Sequence, residues 1–200
     1  MSLISGPFKE VFYEIYLNSI KMLKARQLEI IDKHPLSKNE FLEIYVSKEL
    51  FIVTKDKKGI KTALHISKIQ DSFIKPHVES AIKEAKKLDV SNLILVIAKR
   101  SKNSTIPEQK INISFMFHWE LYCDLISHEL VPKHILLSPE AEKKLFENST
   151  IGNKNNLPKI KISDPVSRYY GAKIGQIFFI RRKLLDGSGL FETVYRVVVP

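Results

Sequence analysis

The sequence predicts an α+β fold in two parts. N-terminal helices and a mixed-sheet domain occupy 1–127, and a small α/β domain ending in a β-hairpin occupies 128–200. Three observations carry this. Apolar residues recur at helical spacing near the start, at Phe8, Val11, Phe12, Ile15, Tyr16, Ile20 and Leu23. Extended apolar runs then flank a helical pattern, as in α/β units. Close to the end, a helix with both termini specified precedes two β-rich runs joined by Asp186-Gly187-Ser188-Gly189, which has hairpin turn chemistry.

Ser5-Gly6-Pro7 opens the first helix, with proline at an early helical position. Ser37-Lys38-Asn39-Glu40 forms a capping box before Phe41, Leu42, Ile44 and Tyr45. Segments 50–54 and 60–66 are expected strands around a turn at 55–59. A helix over 76–88 places Val78, Ala81, Ile82 and Ala85 on one face and Lys83, Glu84, Lys86 and Lys87 towards solvent. Leu93-Ile94-Leu95-Val96-Ile97 is a continuous apolar run, expected of a central strand with some parallel pairing. The basic, polar stretch Lys99-Arg100-Ser101-Lys102-Asn103-Ser104-Thr105 leaves the end of that strand, where α/β domains place their sites. After an aromatic group at 115–119, segment 121–126 reads as another strand with Cys123 packed in it. The domain boundary then falls near His128. Ser138 caps a charged helix running to about 148, and the Asn-rich 148–156 is a loop.

In the last third Asp164 is a good N-cap, Pro165 fits the first helical position and Gly171 suits a left-handed C-terminal residue. Strands are expected over 176–182 and 191–199. Neither alternates cleanly, since Ile177 to Ile180 and Val197 to Val199 are uninterrupted apolar runs. A strand apolar on both sides must be covered on both. A module this small has little material for that, so cover from another protein is expected.

The chain is 44% hydrophobic and 27% charged, as globular proteins are. No apolar run approaches a membrane span, and the start lacks the layout of a secretion signal, so neither a membrane partner nor secretion is expected. The single cysteine allows no internal disulfide and fits a reducing compartment. A net charge of +10 has two readings, attraction to phosphate backbones or a solvated lysine-rich surface. His128 and His134, with Glu129 between them, fall short of a zinc ligand set, and hydrogen bonds to backbone are expected of them instead. The Glu-x-Lys matches at 84–86 and 142–144 lie on predicted helices, not on a strand where a nuclease would hold Mg²⁺. No phosphate-binding Gly-rich loop occurs. Catalytic residues, metal, cofactor and small-molecule substrate are therefore not expected.

The blocks His128-Glu129-Leu130-Val131-Pro132-Lys133-His134, Leu157-Pro158-Lys159-Ile160, Asp164-Pro165-Val166-Ser167-Arg168-Tyr169-Tyr170-Gly171 and the closing Gly175-Gln176-Ile177 hairpin occur in this order. They resemble the fifth, shared small subunit of eukaryotic RNA polymerases and its archaeal counterpart. The resemblance covers about the last third of the chain. It implies a non-catalytic polymerase subunit: 128–200 would dock on the largest subunit, and 1–127 would form a jaw beside downstream double-stranded DNA. On that reading His128, Glu129, Leu130, Val131, Pro132, His134, Pro165, Arg168, Tyr169, Tyr170 and Gly171 belong to the subunit interface, with Ile180 and Val197 from the double-faced strands. The DNA-side set is Lys99, Arg100, Lys102, Asn103 and Ser104. There the chain departs from the family, because Thr-Pro-Ser-Ala is absent and only Thr105-Ile106-Pro107 stands nearby. The diverged first half and the Lys- and Ile-rich composition admit a virus-encoded polymerase. The expected compartment is then host cytoplasm or virion, and otherwise the nucleus. The alternative from another class is a free-standing basic nucleic-acid-binding α/β module.

Overall fold

Helix α1 (Gly6–Ala25) buries Phe12, Ile15, Tyr16, Ile20 and Leu23, the stripe its periodicity requires, together with Met22. The computed structural model describes residues 6–47, 50–68, 75–98, 110–147, 152–184 and 189–200. The chain divides into two compact units, Met1–Asp124 and Leu125–Pro200.

In the first unit, α2 (Lys38–Ser47) starts at the expected capping box. The Ser37 backbone N–H donates to the Glu40 carboxylate at 2.8 Å, and Glu40 N–H donates back to Ser37 Oγ at 3.4 Å. Aromatic rings join the two helices, with Phe41 centred 4.7 Å from Tyr16 and 5.0 Å from Tyr45. The sheet orders β1 (Glu29–Ile30), β2 (Phe51–Lys55), β3 (Lys61–Ile66), β4 (Asn92–Ile97) and β5 (Asn112–Phe117) in sequence. β1–β2 and β2–β3 are antiparallel, while β3–β4 and β4–β5 are parallel. The parallel β3–β4 pair follows from α3 (Lys75–Lys87), a crossover helix whose Val78, Ala81, Ile82 and Ala85 pack with Leu93, Leu95 and Ile97. The expected central strand is β4, interior to the sheet, although β3 holds the middle place.

Segment 121–126 is not a strand. β5 ends at Phe117, whose N–H donates to the Glu120 carboxylate at 3.0 Å. That contact starts α4 (His118–Tyr122), and a single 3-10 turn follows at Leu125–Ser127. The Asn18 side chain donates to the Leu121 carbonyl at 2.8 Å, and Lys21 pairs with Asp124 at 3.0 Å. Capping and these ties to α1 override the β-rich composition. Cys123 consequently lies exposed in a turn and does not pack in a strand.

The second unit contains β6 (Lys133–Leu136), α5 (Pro139–Glu147), β7 (Lys159–Lys161), α6 (Pro165–Tyr170), β8 (Ile177–Lys183) and β9 (Phe191–Val199), with sheet order β6-β8-β9-β7. β7 joins β9 in parallel; the other neighbours are antiparallel. On one face Phe178, Ile180 and Val198 pack with Ile160, Val166 and Ala172. On the other, Ile177 and Val197 pack with Leu157, Leu137 and the α5 residues Leu145 and Phe146. The cover that these apolar runs require on the second face comes in part from within the unit. The unit's own α5 covers it at one end. Lys154 Nζ fastens that arrangement by meeting Glu142 at 2.5 Å and the Gly175 carbonyl at 2.8 Å.

Candidate functional site

The 128–134 stretch is a turn feeding an edge strand, and its local hydrogen bonds set its shape. Leu130 N–H donates to His128 Nδ1 at 3.2 Å, and Val131 N–H donates to the His128 carbonyl at 2.9 Å. His134 Nδ1–H donates to the Pro132 carbonyl at 2.6 Å, and its ring meets Phe178 edge-on with centroids 5.7 Å apart. Burial lowers the His134 pKa below its ordinary value. Val131 packs against the core, whereas His128, Glu129 and Leu130 are exposed, Leu130 at 83%. The turn thus presents an acid and a leucine to solvent while its last histidine serves the fold.

Helix α6 has the termini its residues specify. Asp164 accepts from Val166 N–H at 2.8 Å, Pro165 opens the helix, and Gly171 closes it at φ 62°. Tyr169 is buried, Tyr170 lies against Phe178 at 5.8 Å, and Arg168 donates to the Ser163 carbonyl. These side chains hold the helix in its own unit. Ile180 and Val197, at 4% and 7% exposure, belong to the two core clusters. Both faces of β8 and β9 are covered at those positions by the unit itself.

Lys99, Arg100, Lys102, Asn103 and Ser104 lie outside the described residues. The two Glu-x-Lys matches fall on α3 and α5, with Lys86 and Lys144 exposed. Among the described residues no three His, Cys, Asp or Glu side chains gather as metal ligands, and no helix is long and apolar enough to cross a membrane. Sequence reasoning missed one surface, where Ile135, Phe179 and Tyr195 stand in one row across the sheet. The signal was present in the double-sided apolar runs. Assigning it to the correct face needed β6, and four residues are too few to announce a strand.

The family described as "RNA polymerase Rpb5, C-terminal domain" matches residues 123–198. The chain is similar to the archaeal "DNA-directed RNA polymerase subunit Rpo5" of Archaeoglobus fulgidus, 47% identical over 76 residues, which are 38% of this chain and 95% of the relative. The Rpo5 of Methanothrix thermoacetophila is 46% identical over 72 residues, 36% of this chain and 88% of the relative. The chain belongs to the RNA polymerase subunit 5 family. Its similarity to "DNA-directed RNA polymerases I, II, and III subunit rpabc1" of Dictyostelium discoideum reaches further, 36% identical over 110 residues, 55% of this chain and 54% of that relative. The chain thus spans about half the length of this eukaryotic relative in matched sequence. The matched family region, 123–198, coincides almost wholly with the second unit. These relatives are archaeal and eukaryotic.

Proposed function

We propose that this chain is a non-catalytic subunit of a multisubunit DNA-directed RNA polymerase. Residues 128–200 dock on the largest subunit, and residues 1–127 form a jaw beside downstream DNA. The observation that carries the reading is the match of residues 123–198 to the Rpb5 C-terminal-domain family, a stretch that builds its own two-sided core. A self-contained module of this kind suits a recurring assembly part. The net charge of +10 and the basic stretch just after β4 support the DNA-side role of Lys99, Arg100, Lys102, Asn103 and Ser104. The compartment is that of the polymerase, which for a eukaryotic enzyme is the nucleus.

Affinity purification of the tagged full chain from its own cells, with mass spectrometry of what accompanies it, tests the assignment. Near-stoichiometric largest and second-largest polymerase subunits are expected. The purified chain alone neither cleaves nucleic acid nor polymerises nucleotides with Mg²⁺ or Mn²⁺. A tagged chain that recovers no polymerase subunit overturns the reading. So does metal-dependent nicking abolished by changing one of the chain's own carboxylates.

A further inference from the structure

Half of one sheet face in the second unit is left open by α5. Register puts Ile135, Phe179 and Tyr195 in one row across β6, β8 and β9. The next row is Lys133, Arg181 and Thr193, and beyond it Lys183 pairs with Phe191. Residues opposite one another on neighbouring strands share a face, as do alternate residues along one strand. All eight therefore stand on the α5 side of the sheet, running away from the end that Leu145 and Phe146 cover. Ile135 is 42% exposed and Phe191 54%, while Phe179 and Tyr195 are half-buried, Tyr195 packing at its covered end against the Ile177 and Val197 cluster. Phe179 and Tyr195 meet edge-on at 5.6 Å, and the Arg181 guanidinium lies 4.3 Å from the centre of the Phe191 ring.

Among the described residues, the charge that the strands put on this face has one sign. Lys133, Arg181 and Lys183 are exposed on it, as are Lys159 and Lys161 on β7 at the other sheet edge. The one carboxylate on the four strands, Glu192, is opposite Arg182 on the other face and pairs with it there. Among the described residues Lys133, Arg181 and Lys183 form no ion pair. An apolar row bordered by cations is complementary to a segment in which apolar side chains alternate with carboxylates.

We propose that this open half-face seats an acidic, apolar segment of a neighbouring polymerase subunit. Its apolar side chains cover Ile135, Phe179 and Tyr195, and its carboxylates meet Lys133, Arg181 and Lys183. The inference rests on the reading of the chain as a polymerase subunit. Two other occupants fit less well. Single-stranded nucleic acid needs free ring faces for its bases, yet Arg181 covers Phe191, Phe179 and Tyr195 meet edge-on, and the row ends in aliphatic Ile135. A second copy related by a two-fold axis would set the cations of these strands, Lys133, Arg181 and Lys183, against themselves.

The test uses the full chain within the assembled polymerase. Zero-length carbodiimide coupling joins a lysine amine to a touching carboxylate, so Lys133 or Lys183 should become linked to an Asp/Glu-bearing, apolar stretch of another subunit. Ile135→Asp and the double change Arg181→Glu with Lys183→Glu should each weaken incorporation by roughly tenfold or more, the double change most strongly at low salt. Glu192→Lys, on the opposite face, is the control. Wild-type chain that fails to incorporate overturns the subunit reading itself. Wild-type incorporation with folded variants that incorporate equally well, and no link from Lys133 or Lys183, overturns this inference alone. Two further results also overturn it: binding of a fluorescent oligouridylate that Arg181→Glu abolishes while assembly persists, or self-association that Ile135→Asp abolishes.

Discussion

His118 begins α4 with its Nε2 buried and without a hydrogen-bond partner among the described residues. Its ring meets Phe12 edge-on at 5.3 Å. Burial pushes its pKa down from 6.5 to about 4, while backbone groups of Val96 and Ser67 pull weakly the other way. An unfolded histidine takes up its proton near pH 6.5, so between there and about 4 the unfolded chain binds more protons. The stability this residue confers is complete above pH 6.5, falls as the medium is acidified, and is lost below about 4. The total is about 3 kcal/mol. Denaturant midpoints for the first unit, measured between pH 4 and 7, should show a slope that His118→Phe makes shallower. Equal slopes would mean that the imidazole is solvated. At α6, Asp164→Ala removes the acceptor for Val166 N–H and should cost about 1 kcal/mol in chemical denaturation of the second unit.

The elements of the second unit differ in how they use apolar residues. β8 and β9 turn one face to α6 and part of the other to α5. The consequence is a contrast between two isoleucines on one sheet. Ile180→Asp places a charge among Phe178, Val166 and Val198, and should destabilise the unit by several kcal/mol. Ile135→Asp lies on the open face and should leave the unfolding midpoint nearly unchanged. Both are read from denaturation followed by near-ultraviolet circular dichroism. A folded, stable Ile180→Asp chain would contradict the two-sided core. The helix termini and the two hairpin strands could be read from their residues, because caps, left-handed glycine and β-rich runs act within a few positions. β6 and β7 could not, since each is formed only by pairing with a distant strand.

For the whole molecule, the proposed approach of Lys99, Arg100 and Lys102 to downstream phosphates makes a salt-dependent prediction. Replacing all three with Ala in the assembled polymerase should shorten elongation-complex lifetimes about equally on different templates, since phosphate contacts carry no base information. The log–log salt slope should become shallower by roughly one unit for each phosphate no longer neutralised. Parallel curves for wild type and variant would show that this stretch faces solvent and that its charge serves solubility.

The sequence by itself determined the α+β class, the β3–α3–β4 crossover, the capped helices α2, α5 and α6, the closing hairpin and the family, because each is written in neighbouring residues or in ordered blocks. Only the tertiary structure decided that 121–126 turns in place of extending, since the Glu120 cap and the Asn18 contact reach back across the chain. It also decided which apolar residues are core and which remain open. Ile180 and Ile135 are the same residue type on paired strands, and one is buried while the other is exposed only because α5 and α6 are arranged unequally over the two faces of their sheet.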